Sequence, residues 1–427
     1  MKKTSSLLLS TLFVVSTLVS CATMDDTLVL PDETTPLTLG GGEFNAMGQS
    51  SKRFSVSFSS KMTDAEIKNL EEKYNTKFSR VIPQIGIAIA DKPEEVPSEQ
   101  LSNEIKAEST VEDYEPINLV ELEATKGLKI NDPESQKQYH LDVINADKAW
   151  EITSGKPSVK IAIIDSGIDL NHPDLKARLI TGRNIIRPSQ KPMDDNGHGT
   201  HVAGIAAATA GNGIGVVGIA PNCSLMPIKA LENGRGTDID IAEAIVWAAD
   251  NDADVINISI GLYTKSKALE RAVKYAIGKN VVVVSSSGND SKNSKIHLPS
   301  MIKGVIEVSA TRVYLTSSKV YEKFADFSNY GQQVSVAAPG DEILSTMPTY
   351  KVELTKEAGL KYGIMSGTSM ASPMVAGLAA LLKSQDSSLT PAEIKQIIEK
   401  SSDDLGSKGY DSYFGNGRIN MYNTLAN

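Results

Sequence analysis

Four short apolar runs constrain this chain more than any other feature: Val159 to Ile164, Val255 to Ile260, Val281 to Val284 and Val305 to Val308. A strand with one wet face alternates apolar and polar residues. A nearly continuous apolar run reads instead as a strand buried on both faces. Between these runs lie helical patterns, at Ile239 to Ala249, Lys267 to Ile277, Met374 to Leu382 and Pro391 to Ile398. Strands covered on both sides and alternating with helices predict an α/β fold: a doubly wound, mostly parallel sheet with helices on both faces. The region from about 136 to 427 carries it.

In sheets of this class, chemistry gathers at the carboxyl ends of strands and at adjoining helix starts. Three places fit that rule. Asp165 ends the first apolar run, in Asp165-Ser166-Gly167-Ile168-Asp169. His198 opens an Ala-rich helix within Asn196-Gly197-His198-Gly199-Thr200-His201-Val202-Ala203-Gly204. Ser369 enters a helix within Gly367-Thr368-Ser369-Met370-Ala371-Ser372-Pro373, where Pro373 suits a first turn. Taken singly, the aspartate reads as a cap or metal ligand and the serine as an N-cap. Together they supply a carboxylate, an imidazole and a hydroxyl. A serine hydroxyl is a weak nucleophile until a base takes its proton. An imidazole does this near neutral pH, and a buried carboxylate fixes its tautomer.

These three motifs, in the order Asp, His, Ser, resemble those of the subtilisin family of serine proteases, the subtilases. The resemblance covers about 136 to 427. It implies that Ser369 is the nucleophile, His198 the general base and Asp165 the orienting acid, with His201 structural. Asn289, in Ser287-Gly288-Asn289, matches the family's oxyanion-hole asparagine, acting beside the Ser369 N–H. Ser259, Ile260 and Gly261 resemble the strand that pairs with a substrate backbone and walls the pocket for the residue before the scissile bond (P1). Gly234 to Gly236 resemble the opposite edge. Leu262 stands where a second glycine is common, and the expectation for P1 is a moderately large apolar residue. A structural calcium is also implied. Asp174 and the Asn212 side chain would bind it, with the carbonyls of Ala210, Ile214 and Val216 completing an all-oxygen shell. The family's glutamine ligand would fall near Ser135 or Gln136.

The N-terminus reads as an address. Lys2 and Lys3 precede an apolar stretch, Leu7 to Val19, shorter than a membrane-spanning helix needs. It closes on Leu18-Val19-Ser20-Cys21, which resembles the lipobox of bacterial lipoproteins. The expectation is a signal peptide over 1–20, lipidation of Cys21 and a tether over 21–51. That would place the protein in the cell envelope, lipid-anchored to a membrane and facing outside the cytoplasm. Over 52–90, Phe54, Val56 and Phe58 alternate, Thr63 and Glu66 form a capping-box pattern, and Ile85, Ile87 and Ile89 alternate again. This small α+β unit resembles the inhibitor-type propeptide of the family, a partner for the protease within its own chain. Residues 91–135, rich in Glu and Pro, predict an exposed acidic linker.

Composition excludes other classes. A net charge of −9 argues against nucleic acid as a partner. Two cysteines give neither a disulfide framework nor a cysteine-built zinc site, and Cys223 reads as a small buried residue. The expected function is therefore an extracytoplasmic serine endopeptidase made as a zymogen and acting on proteins or peptides. The alternative is a non-catalytic surface lipoprotein, an adhesin or scaffold on a protease fold. A metal hydrolase using His198 and His201 is disfavoured by their spacing of three, with no Glu placed as in the zincin helix.

Overall fold

The structure is a computed structural model that describes residues 37–39, 42–44, 49–59, 62–92, 98–122, 135–293, 296–315 and 320–426. The segment 1–20 and Cys21 lie outside these residues, as does much of 21–51. Within that tether region, Leu37–Leu39 and Gly42–Phe44 pair as antiparallel strands.

The expected doubly wound sheet is present. Its strands run in the order Val320–Phe324, Ile306–Leu315, Val282–Ser286, Val255–Ile258, Lys160–Asp165, Ser224–Lys229 and Arg183–Asn184, and Val336–Pro339 also pairs with Ile306–Leu315. These pairings are parallel, except between Ile306–Leu315 and Val320–Phe324. The Lys160–Asp165 strand shows why its sequence lacks alternation. Ile161 and Ile163 enter one core, with Val202 and Ala206 of the His198–Ala207 helix and Val375 and Leu378 of the Thr368–Gln385 helix. Ala162 and Ile164 enter the other, with Ile245 of the Asp238–Asp250 helix and Leu269 of the Lys267–Gly278 helix. Each such isoleucine contributes roughly 1.5–3 kcal/mol by leaving water, so a charge on either face would break the layer. Among the described residues no helix is long and apolar enough to cross a membrane.

The N-terminal unit is an antiparallel sheet in the order Lys77–Ile82, Ile87–Asp91, Gln49–Phe58, Val111–Leu122. Two helices, Asp64–Tyr74 and Ser98–Lys106, cover one face through Leu70, Leu101 and Ile105. Thr63 and Glu66 make the expected capping box. Ile87 and Ile89 turn the opposite way and join the core around Ile245 and Leu269 of the large domain, while Ala88 and Ala90 face the unit's own helices. Arg80 ties the two domains further, reaching Asp240 at 2.6 Å and Glu243 at 3.1 Å.

The segment 91–135 departs from the exposed linker that its composition predicts. It contains the Ser98–Lys106 helix and the twelve-residue Val111–Leu122 strand. The unit that begins in the 50s therefore continues to Leu122. The acidic residues here make specific contacts: Glu115 accepts from the Lys267 backbone N–H at 3.0 Å, at the start of a large-domain helix. A carboxylate placed there satisfies an otherwise unpaired helix amide and meets the positive end of the helix dipole.

Candidate active site

Asp165 sits at the carboxyl end of its strand and is fully buried. Its two oxygens lie 2.8 and 2.9 Å from His198 Nδ1, and Oδ1 also accepts from the Ser166 N–H at 2.7 Å. His198 is the first residue of its helix and is likewise fully buried. Gly199 permits this approach. A Cβ there would lie 3.0 Å from Asp165 Cβ and would collide with the Gly167 carbonyl. The carboxylate therefore holds the proton of His198 on Nδ1, which leaves Nε2 basic.

Asp194, which the sequence reading did not single out, organises the turn before His198. Its Oδ1 accepts from Ser166 Oγ at 2.8 Å, Asn196 N at 3.0 Å and Gly197 N at 2.9 Å. Its Oδ2 accepts from Thr200 N at 2.9 Å and Thr200 Oγ1 at 2.6 Å. An aspartate shortly before a helix start was the available signal, since such carboxylates cap orphan amides.

His201 serves differently. Its Nε2 lies 3.1 Å from the Ile343 carbonyl and 3.2 Å from the Gly363 carbonyl. Burial pushes its pKa down to about 3, so it stays neutral and braces two strands. The imidazoles of His198 and His201 thus engage separate partners. Among the described residues no three His, Cys, Asp or Glu side chains form a metal-binding group.

Ser369 is the second residue of its helix and is fully buried. Its Oγ donates to the Ser259 carbonyl at 3.2 Å, and Ser259 Oγ donates back to the Ser369 carbonyl at 2.9 Å. His198 Nε2 has no hydrogen-bond partner among the described residues. The aspartate–histidine bond is therefore formed, while the serine hydroxyl is turned to the Ser259 strand. Asn289 follows the Val282–Ser286 strand, and its side-chain oxygen accepts from Thr368 N at 2.8 Å and Thr368 Oγ1 at 2.9 Å. Pinning the oxygen orients the amide as a donor in the turn beside Ser369.

The two glycine-bearing edges hold the chain's own strand. Arg235, Gly236 and Thr237 pair antiparallel with Glu121, Val120 and Leu119. Ile260 and Gly261 pair antiparallel with Leu122 and Glu121. Gly234 turns the chain into the first edge with φ +78°.

Asp174 meets the loop that carries Asn212, Ile214 and Val216. Asp174 is fully buried, and burial raises its pKa. It accepts from the Asn212 side-chain amide and from Val216 N at 2.9 Å, and no Lys or Arg pairs with it among the described residues. Asn212 Oδ1 accepts from Ile214 N at 2.9 Å. A buried anion without a counter-cation, in a loop of hard oxygen donors, fits calcium in kind. Ser135 and Gln136 fall in a short 3₁₀ turn. The nearby glutamine that reaches the loop base is Gln138, whose Oε1 accepts from Val217 N at 2.8 Å. Cys223 is buried as expected, and burial raises its thiol pKa, which suits an unreactive core residue.

Comparison with known proteins agrees with this geometry. The subtilase family model matches residues 156–417. The thermophilic serine proteinase of Bacillus sp. (strain AK1) is 44% identical over 289 residues, 67% of this chain and 67% of that protein. Thermitase of Thermoactinomyces vulgaris is 39% identical over 297 residues, 69% of this chain and 98% of that enzyme. Among solved structures, fervidolysin from Fervidobacterium pennivorans, a keratinolytic enzyme related to subtilisin, superposes with a TM-score of 0.77 at 27% identity. That match covers 93% of this chain and 64% of the fervidolysin chain. The chain belongs to the subtilase family of serine endopeptidases, and its large domain has the subtilisin-like fold.

Proposed function

We propose that the chain is made as a zymogen of an extracytoplasmic, lipid-anchored endopeptidase that cuts proteins or peptides through an ester on Ser369. His198 Nε2 takes the Ser369 proton as Oγ attacks the scissile carbonyl carbon. Asp165 stabilises the imidazolium that forms. The Ser369 N–H and the Asn289 amide receive the oxyanion. His198 then gives the proton to the leaving amine, and water hydrolyses the ester in a second pass through the same groups.

One observation carries the zymogen reading: the Val111–Leu122 strand lies antiparallel to both Arg235–Thr237 and Ile260–Gly261. A peptide substrate bound by β-augmentation would use those same main-chain groups. The N-terminal unit, through Leu122, is thus an inhibitory propeptide whose own strand fills the cleft. Its polar main-chain bonding tolerates many sequences, as an endopeptidase requires. Anchoring through Cys21 would hold the zymogen at a membrane, and release of the propeptide would free the protease from it.

Calcium belongs to this reading. Asp174, Asn212 and the carbonyls of Ala210, Ile214 and Val216 would hold it, where its charge would neutralise the buried carboxylate and rigidify the loop. It takes no part in the bond cleavage.

The test is expression of the full chain beside Ser369→Ala. The wild type is expected to lose its N-terminal unit, hydrolyse casein and react with a fluorophosphonate. Ser369→Ala is expected to remain full length and unlabelled. An intact, unlabelled wild type would favour a surface lipoprotein without catalysis. Palmitate incorporation lost in Cys21→Ala supports the anchor, and its absence from the wild type rejects it.

A further inference from the structure

The strands Ile343–Thr346 and Tyr362–Met365 form an antiparallel hairpin that ends on the pair Thr346–Tyr362. Most hairpins close through about two to five residues. Here the connection runs over 347–361. At its root Met347 N–H donates to the Lys361 carbonyl at 2.6 Å, and Lys361 N–H donates to the Pro348 carbonyl at 3.1 Å. The hairpin touches both the base and the nucleophile. Its first strand lies on the His198 helix, where Ser345 Oγ donates to the His201 carbonyl at 2.8 Å and Thr346 Oγ1 to the Thr200 carbonyl at 2.7 Å. Its second strand leads through Ser366 and Gly367 into the helix of Ser369.

The long connection folds back over the turn that precedes His198. Thr349 anchors it: its N–H and hydroxyl donate to Asp169 Oδ2 at 2.9 and 2.7 Å. Asp169 N–H in turn donates to Thr200 Oγ1 at 2.9 Å, on the His198 helix. Tyr350 Oη donates to the Asp194 carbonyl at 2.7 Å. Leu354 N–H donates to the Asn196 carbonyl at 3.0 Å, and Glu353 Oε2 accepts from Asn196 Nδ2 at 3.3 Å. Gly197 lets the loop lie this close, since a Cβ there would stand 3.2 Å from both Met347 Cε and Leu354 Cβ. Burial, and then the Asp194 carboxylate, push the Tyr350 pKa up, so its hydroxyl stays a donor. The turn is thus gripped twice. The Asp194 carboxylate collects its N–H groups, and the loop collects its carbonyls. Gly197, the N-cap of the His198 helix, supplies no side-chain cap, so the start of that helix depends on these flanking bonds.

We propose that the loop 347–361 is a strap that positions the general base, with Tyr350 and Glu353 as its positioning residues. The proposal rests on the serine-protease reading above. Both side chains act through Asp194 and Asn196, and so set the distance between His198 Nε2 and Ser369 Oγ. Proton transfer between these atoms needs near-bonding geometry, and a displacement of about 1 Å costs up to about 10² in rate. A substrate held on the Arg235–Thr237 and Ile260–Gly261 edges rests on other elements. Loosening the strap therefore lowers kcat and spares KM.

The test uses protein expressed as the full chain and purified after maturation: wild type, Tyr350→Phe, Glu353→Ala, Glu353→Gln and the double variant Tyr350→Phe/Glu353→Ala. For each, kcat, KM, the rate of fluorophosphonate labelling and the thermal midpoint are measured. Tyr350→Phe removes one hydroxyl and is expected to lower kcat about tenfold with KM nearly unchanged. Labelling is expected to slow by the same factor, because it needs the base but not the peptide edges. Glu353→Ala is expected to lower kcat at least about threefold in the same way. Glu353→Gln, whose carbonyl oxygen can still accept from Asn196, is expected to restore it. The double variant is expected to lose less than the product of the single losses, because both substitutions free one turn. Wild-type kcat in the single variants, whatever their thermal midpoints, overturns the proposal. So does a loss carried by KM, a loss that Glu353→Gln shares, or a double variant that loses the full product. Glu353 is exposed, so its two variants decide the matter even if Tyr350→Phe is unstable. A wild type that neither labels on Ser369 nor hydrolyses peptide would instead refute the serine-protease reading.

Discussion

Asp165 and His198 form a fully buried pair, with the carboxylate oxygens 2.8 and 2.9 Å from Nδ1. The bond fixes which ring nitrogen carries the proton, and that choice decides whether Nε2 can act as a base. Asp165→Asn keeps the shape but offers an amide donor to Nδ1, which selects the wrong tautomer. Turnover is expected to fall by about 10⁴ with little change in KM. Steady-state kinetics on a peptide substrate check this, and a loss under tenfold would remove Asp165 from its assigned role.

Thr368 donates twice to the side-chain oxygen of Asn289, which fixes the orientation of its amide beside Ser369. Asn289→Ala is expected to lower kcat by about 10² to 10³ and to leave KM nearly unchanged, because the oxyanion exists only in the transition state. A rise in KM at constant kcat would instead make Asn289 a ground-state binding residue.

Much of this was legible in the sequence, because the three motifs sit where strands end and helices begin. The Val111–Leu122 strand was not. Its buried apolar residues among those described, Val111, Tyr114 and Ile117, are spaced by three, with Glu112, Asp113, Glu115 and Pro116 between them. The pairing with Gln49–Phe58 carries register shifts, which break the period of two. The strand also serves two sheets, so its polar residues answer partners far away in sequence. Asn118, for example, donates to the buried Asp238 of the large domain.

The interface between the N-terminal unit and the large domain is expected to weaken as pH rises. Burial pushes Glu115 up to about 7, opposed by its bond from the Lys267 amide, and pushes Asp238 up to about 6. Both values lie above those of free carboxyls, so the assembled form binds more protons than the separated one. Stability is then greatest at low pH and is lost as pH rises from about 4 to about 7, no more steeply than about tenfold per pH unit for each group. Limited proteolysis of Ser369→Ala between pH 5 and 8 reads this as faster loss of the N-terminal unit. Glu115→Gln is expected to flatten the profile, and an unchanged profile would exclude Glu115 as its source.

Asp174 is a buried carboxylate without a cationic side chain as partner among the described residues. Calcium at a hundredfold excess over its dissociation constant is expected to stabilise the fold by about 2.7 kcal/mol. Differential scanning calorimetry with calcium and with a chelator measures the shift. Asp174→Ala is expected to abolish the calcium dependence; a wild type indifferent to the chelator would dismiss the site.

The most direct measurement is mass-spectrometric mapping of a fluorophosphonate adduct on the active wild-type protein, paired with peptide hydrolysis by Ser369→Ala. A single adduct on Ser369 is expected, with hydrolysis reduced at least 10³-fold in the variant. An adduct on another residue, or hydrolysis that survives the loss of the Ser369 hydroxyl, would contradict it.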